Sequence, residues 1–119
     1  PDRSDAWFNR GNARGEVGDH AGAIEDYDRA LECEPRMAPA YCNRGNQKAL
    51  LGDARGAIVD FNQAVKIDPE LWPAWAAMGD YLETLGRTEE ALGAFERAHP
   101  IAPAEVRSEL ARRIERLRQ

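Results

Sequence analysis

A fixed interval of 34 residues runs through this chain and constrains its fold more than any other feature. Gly11, Gly45 and Gly79 keep that spacing, and so do Gly18, Gly52 and Gly86. Ala23, Ala57 and Ala91 follow it, as do Ala30, Ala64 and Ala98, and Pro35, Pro69 and Pro103. The aromatic residues keep the same step, with Trp7, Tyr41 and Trp75 in one row and Tyr27, Phe61 and Phe95 in another. Three copies therefore lie in register without an insertion, over residues 4–37, 38–71 and 72–105. A period of this length marks a stack of supersecondary units, each too small to bury its own apolar face.

Each unit reads as two helices. An aromatic residue sits four before a glycine, one turn away on the same face, and the bare glycine lets a neighbouring helix approach closely. Gly18, Gly52 and Gly86 are expected to end the first helix in a left-handed conformation. Asp19 and Asp53 suit the N-cap of the second helix, and Thr88 with Glu89 and Glu90 is expected to fill that role in the third unit. Ala23, Ile24, Tyr27, Ala30 and Leu31 make one apolar stripe at helical spacing, repeated by Ala57, Ile58, Phe61, Ala64 and Val65 and by Ala91, Leu92, Phe95 and Ala98. Pro35, Pro69 and Pro103 are expected to stop the second helices.

This pattern resembles the tetratricopeptide repeat over residues 4–103. The resemblance implies an all-α fold, a right-handed α-solenoid of three helix-turn-helix repeats. Residues 104–118 add a seventh helix, with Val106, Leu110, Ile114 and Leu117 on one face and Arg113 where the period would demand glycine. That helix is read as a cap over the last repeat, the whole forming a single domain over residues 1–119. The N-terminal end has no comparable cap, so surface of the second helix (helix B) of the first repeat is expected to be exposed. Pro1 in place of methionine suggests a piece of a longer protein.

Two positions depart from the family pattern. Arg10 and Arg44 stand where the family usually has leucine, and the family's packing sets them opposite Asp26 and Asp60. In the third unit both partners change together, to Met78 and Ala94. Two partly buried Arg–carboxylate bridges are expected, exchanged for an apolar contact in the third repeat. At the second position Arg14 and Lys48 stand where the family often has tyrosine, and they are expected to lay their stems on apolar surface with their charged heads in water.

The resemblance also implies a function, the capture of an extended peptide in a concave groove lined by the first helices. Carried over position by position, the groove holds Phe8, Asn9, Asn12, Cys42, Asn43, Asn46, Ala77 and Asp80. An asparagine amide offers a donor and an acceptor, so it pairs with a peptide unit whatever its side chain. Phe8 would anchor an apolar side chain, while Cys42 and Ala77 leave room. Asp5, Asp80 and Glu83 make the groove neutral to acidic, which favours a neutral or basic peptide. Chaperone-binding members of the family clamp an acidic C-terminal carboxylate with two lysines, two asparagines and an arginine. Here Asn12 and Asn43 match the asparagines, but Phe8, Pro73 and Ala77 occupy the basic positions, so an acidic C-terminal tail is expected to be excluded.

Composition limits the alternatives. The chain has 119 residues, 16 basic and 21 acidic, with a formal net charge of −5. An acidic body repels phosphate backbones, so nucleic acid is a poor partner. The five arginines after residue 103 read as the solvated face of the last helix. No apolar run suggests a membrane span or a leader. His20 and His99 stand far apart, and nothing converges as a nucleophile, base or metal set, so neither an enzyme nor a cofactor is expected. Cys33 and Cys42 form no disulfide framework; Cys33 is placed in the core and Cys42 in the groove as an inert thiol. Trp7 and Trp75 read as core, and Trp72 as the exposed aromatic. The expected molecule is a cytoplasmic monomer or weak homodimer serving as a scaffold or adaptor; an assembly or spacer module that self-associates is the alternative.

Overall fold

The computed structural model describes residues 3–119. Seven α-helices follow one another: α1 (Arg3–Glu16), α2 (His20–Cys33), α3 (Ala38–Leu50), α4 (Ala54–Ile67), α5 (Trp72–Thr84), α6 (Thr88–Ala98) and α7 (Ala104–Leu117). No strand occurs among the described residues. Each helix packs most heavily on its partner in the pairs α1–α2, α3–α4 and α5–α6, and more lightly on the next pair. The result is an all-α helical repeat solenoid, 48 Å long and 26 × 23 Å across.

The turns form as the sequence requires. Gly18, Gly52 and Gly86 carry φ values of 89°, 92° and 78°, in the left-handed region that costs side-chain-bearing residues most. The Asp19 carboxylate accepts from the Gly22 N–H at 3.0 Å, and that of Asp53 from Gly56 N–H at 2.8 Å. The third unit departs from expectation. Arg87, not Thr88, occupies the N-cap position of α6, and no side chain caps it. Its guanidinium instead grips Glu90, at 3.0 and 2.7 Å.

The third B helix also ends early. It stops at Ala98 and tightens into a 3-10 turn over His99–Ile101. Pro100 lies inside that turn; with no N–H and a ring that crowds the preceding turn, it breaks the α-helix before Pro103 is reached. Pro103 instead occupies the N-cap position of α7.

Close helix approach rests on the first glycine of each unit. A Cβ added at Gly45 would lie 2.9 Å from the buried Phe61 ring, and one at Gly79 2.6 Å from Phe95. The core between the pairs is correspondingly continuous from Cys42 to Ile114. Leu110 and Ile114 of α7 are buried in it, with Val106 and Leu117 at its margin, so α7 covers α6 as expected of a cap. At the other end it is α1, not a B helix, that stays uncovered: Ala6 is exposed, whereas its counterparts Ala40 and Ala74 are fully buried.

Both expected ion pairs form. Arg10 donates to Asp26 through Nε and Nη2, each at 2.9 Å, and Arg44 to Asp60 at 2.9 and 2.8 Å. The acceptors are almost sealed from solvent, at 1% and 2% exposure. Met78 and Ala94 are buried together in the apolar core. Arg14 and Lys48 correct their expectation, because their heads turn inward. Arg14 Nη1 lies 3.5 Å from Asp26, and Lys48 Nζ 3.1 Å from Asp60. One helical turn after Arg10 and Arg44, each supplies a second cation to the same buried carboxylate, which Coulomb attraction in a dry site favours over solvation.

Candidate peptide groove

The A helices α1, α3 and α5 place the polar residues of the candidate site. Between α1 and α3 lies a cavity of about 340 Å3 lined by Asn12, Asn43, Asn46, Tyr27, Gln47 and Glu16, with Gly15 at its edge. Asn12 Oδ1 accepts twice, from Tyr27 Oη at 2.5 Å and from Asn43 Nδ2 at 2.9 Å. Burial raises the Tyr27 phenol above its ordinary pKa, against the opposing pull of the Asn43 amide, so it remains an O–H donor at neutral pH. With its oxygen engaged, Asn12 keeps its Nδ2 donors for a ligand, and Asn43 keeps Oδ1 as an acceptor. The side chains of Asn46 and Asn9 make no hydrogen bond among the described residues.

The wall of this site contains groups the position-by-position reading passed over. Tyr27 is the only one of its row with a hydroxyl, Phe61 and Phe95 standing in the others, and that difference was visible in the sequence. His20 Nδ1 lies 2.6 Å from Gln47 Oε1, which ties the first residue of α2 to α3.

The remaining expected residues are distributed differently. Phe8 is half-buried, its ring centroid 5.9 Å from that of Tyr27, so part of its surface serves the core. Cys42 is not a groove residue. It is 4% exposed and packs in the core, and burial pushes its thiol up to about 11. Cys33, expected inside, is exposed. It ends α2, and Ile67 at the equivalent end of α4 is half-buried. Trp72, expected outside, packs partly against the core.

Ala77 and Asp80 lie one unit on, in α5, away from the asparagine cavity. Asp80 is held by Arg113 of α7, and Glu83 by Arg116 at 2.8 and 3.0 Å. Partial burial raises the Asp80 carboxyl pKa, and Arg113 opposes that shift. The α7 arginines are therefore not simply a solvated face; two of them reach the groove row. No cluster of three His, Cys, Asp or Glu able to hold a metal ion occurs among the described residues. No helix there is long and apolar enough to cross a membrane.

Models of the tetratricopeptide repeat match residues 4–37 and 38–71. No curated protein matches the chain. Among solved structures, the Arabidopsis OM64 TPR domain is 26% identical with a TM-score of 0.87, over 97% of this chain and 93% of that one. The second TPR of Spaghetti (RPAP3), bound to the HSP90 peptide SRMEEVD, is 26% identical with a TM-score of 0.81, over 83% and 92%. The first TPR of the same protein, bound to the same peptide, is 23% identical with a TM-score of 0.85, over 98% and 94%.

These two complexes overturn the exclusion of an acidic C-terminal tail. Their peptide ends in Glu-Glu-Val-Asp, and it is held by domains with this backbone. The exclusion rested on three uncharged positions, Phe8, Pro73 and Ala77, taken one by one. It left out cations delivered from elsewhere in the fold, and Arg113 and Arg116 show that α7 brings two of them to the groove row. Two helix pairs matched by the family's models and a backbone shared with its solved domains converge: the chain belongs to the tetratricopeptide repeat family, and it is a protein–protein interaction module.

Proposed function

We propose that the chain holds an extended peptide segment of a partner protein in its concave groove, acting as an adaptor. One unit over residues 1–119 would carry this role, with repeats at 4–37, 38–71 and 72–105 and a closing helix at 104–118. The observation that carries the reading is the Asn12–Asn43 pair. Tyr27 and Asn43 saturate the Asn12 oxygen, which leaves the Asn12 donors and the Asn43 acceptor for a peptide unit. Asn9 and Asn46 extend this row with unengaged amides, Phe8 offers an apolar contact, and Ala77 and Asp80 form the far end. Cys42 has no part in it. The peptide held by the RPAP3 domains supports the same kind of ligand here.

The test is a peptide selection from a random display library on the intact chain, followed by titration of the selected peptides. Asn43→Ala, combined with Asn12→Ala, is expected to weaken binding by about tenfold or more with the helical spectrum unchanged. Equal affinity for the intact chain and the folded variant would overturn the reading and favour an assembly role through other surfaces.

A further inference from the structure

The exchange of Arg–Asp for Met–Ala in the third unit has a consequence on the convex face, opposite the groove. Between α2 and α4, Arg44 spans the cleft: Nη1 reaches Asp28 at 2.7 Å, while Nε and Nη2 hold Asp60. The corresponding three positions between α4 and α6 are Met78, Asn62 and Ala94. Among the described residues no hydrogen bond joins α4 to α6. A cavity of about 290 Å3 opens there instead, floored by Ile58, Met78 and Leu82 with Trp75 as one wall.

Two further features give the cavity a chemistry. Gly93 stands at its rim where α4 has Val59, and a Cβ built on Gly93 would meet nothing within 4 Å. The space is therefore real at the level of a side chain. Arg97 lies over the Trp75 ring, 5.2 Å from its centroid, and has no carboxylate partner among the described residues, whereas the neighbouring Arg87 is spent on Glu90. An apolar floor beneath a single unneutralised guanidinium is complementary to an apolar side chain with a carboxylate beside it.

We propose that the α4/α6 cleft is a second docking site, distinct from the groove, for a partner protein's segment bearing an aliphatic side chain next to an acidic one. The probe is the acetylated, amidated peptide Ala-Ala-Leu-Glu-Ala, titrated into the full chain and followed by amide chemical shifts. Shifts concentrated at Gly93, Asn62 and the Trp75 indole N–H are expected. They should vanish in Gly93→Leu, which fills the cavity from a helical position, and weaken by about tenfold in Arg97→Glu. Met78→Arg with Ala94→Asp rebuilds the bridge of the first two units and should abolish binding by a second route. Asn12→Ala with Asn43→Ala should leave this binding unchanged, which separates it from the groove. No shifts at millimolar peptide, shifts centred on the asparagines, persistence in Gly93→Leu, or equal binding of the Glu-to-Lys peptide would each overturn the proposal.

Discussion

Arg44 and Asp60 form a two-pronged ion pair, 2.9 and 2.8 Å, with the carboxylate 2% exposed and Lys48 Nζ 3.1 Å from the Oδ2 that Arg44 Nε also holds. Removing the arginine alone strands a buried charge on one remaining cation. Arg44→Met is expected to cost about 2–4 kcal/mol in urea unfolding. Arg44→Met with Asp60→Ala, which reproduces Met78 and Ala94, should recover at least half of that. A double variant as unstable as the single one would show that the pair is not coupled.

The Asn12–Tyr27 hydrogen bond predicts a cost separable from binding. Tyr27 is nearly sealed from water, so Asn12→Ala leaves its hydroxyl without an acceptor. The expected loss is about 1–3 kcal/mol, and adding Tyr27→Phe should return most of it because the sealed donor is then gone, while Asn43 Nδ2, which loses the same acceptor, lines the open cavity where water can replace it. Thermal unfolding of the three variants checks this, and the pair also supplies a well-folded background for groove titrations.

Two glycines should respond in opposite directions to alanine. At Gly79 the new methyl would press on Phe95 from 2.6 Å, and both helix backbones are fixed by packing. A loss of about 1–3 kcal/mol is expected. At Gly93 nothing lies within 4 Å, and the residue is in the interior of α6. Gly93→Ala should raise stability by about 0.5–1 kcal/mol through helix propensity and a less flexible unfolded chain.

The two thiols should differ in reactivity and in pH dependence. Cys33 is exposed and should alkylate readily at pH 8, while Cys42 should stay silent until the chain unfolds. Burial raises the Cys42 pKa from 9.0 to about 11, so the unfolded state loses its proton first. Between those values the native state binds more protons, and stability should fall as pH rises, by about 2–3 kcal/mol at pH 11. Cys42→Ala should flatten that part of the profile, measured by denaturant unfolding; an unchanged slope would assign the effect elsewhere.

The closing helix is predicted to depend on its apolar face rather than its charges. Leu110→Ala should cost about 2–4 kcal/mol by opening a cavity over α6. Arg116→Ala removes only an exposed pair with Glu83 and should change stability by less than about 1 kcal/mol. Calorimetry of the two variants distinguishes these contributions.

The sequence by itself determined whatever repeats or is local. The 34-residue step set the helix pairs, glycine identity set the three left-handed turns, and Asp19 and Asp53 set two N-caps, because each of these is decided within a few residues of chain. Even Arg44 with Asp60 was legible, since the two residues change together to Met78 and Ala94. Tertiary structure decided where side chains of equivalent position actually go. Lys48 turned inward to a carboxylate, Cys42 sank into the core while Cys33 stayed outside, and Pro100 ended α6 before the periodic proline. Arg113 and Arg116 reached the carboxylates of α5 from a helix that breaks the period. These outcomes depend on the distance and dielectric between helices, which no single segment specifies, and they determine the chemistry that the groove and the convex cleft present.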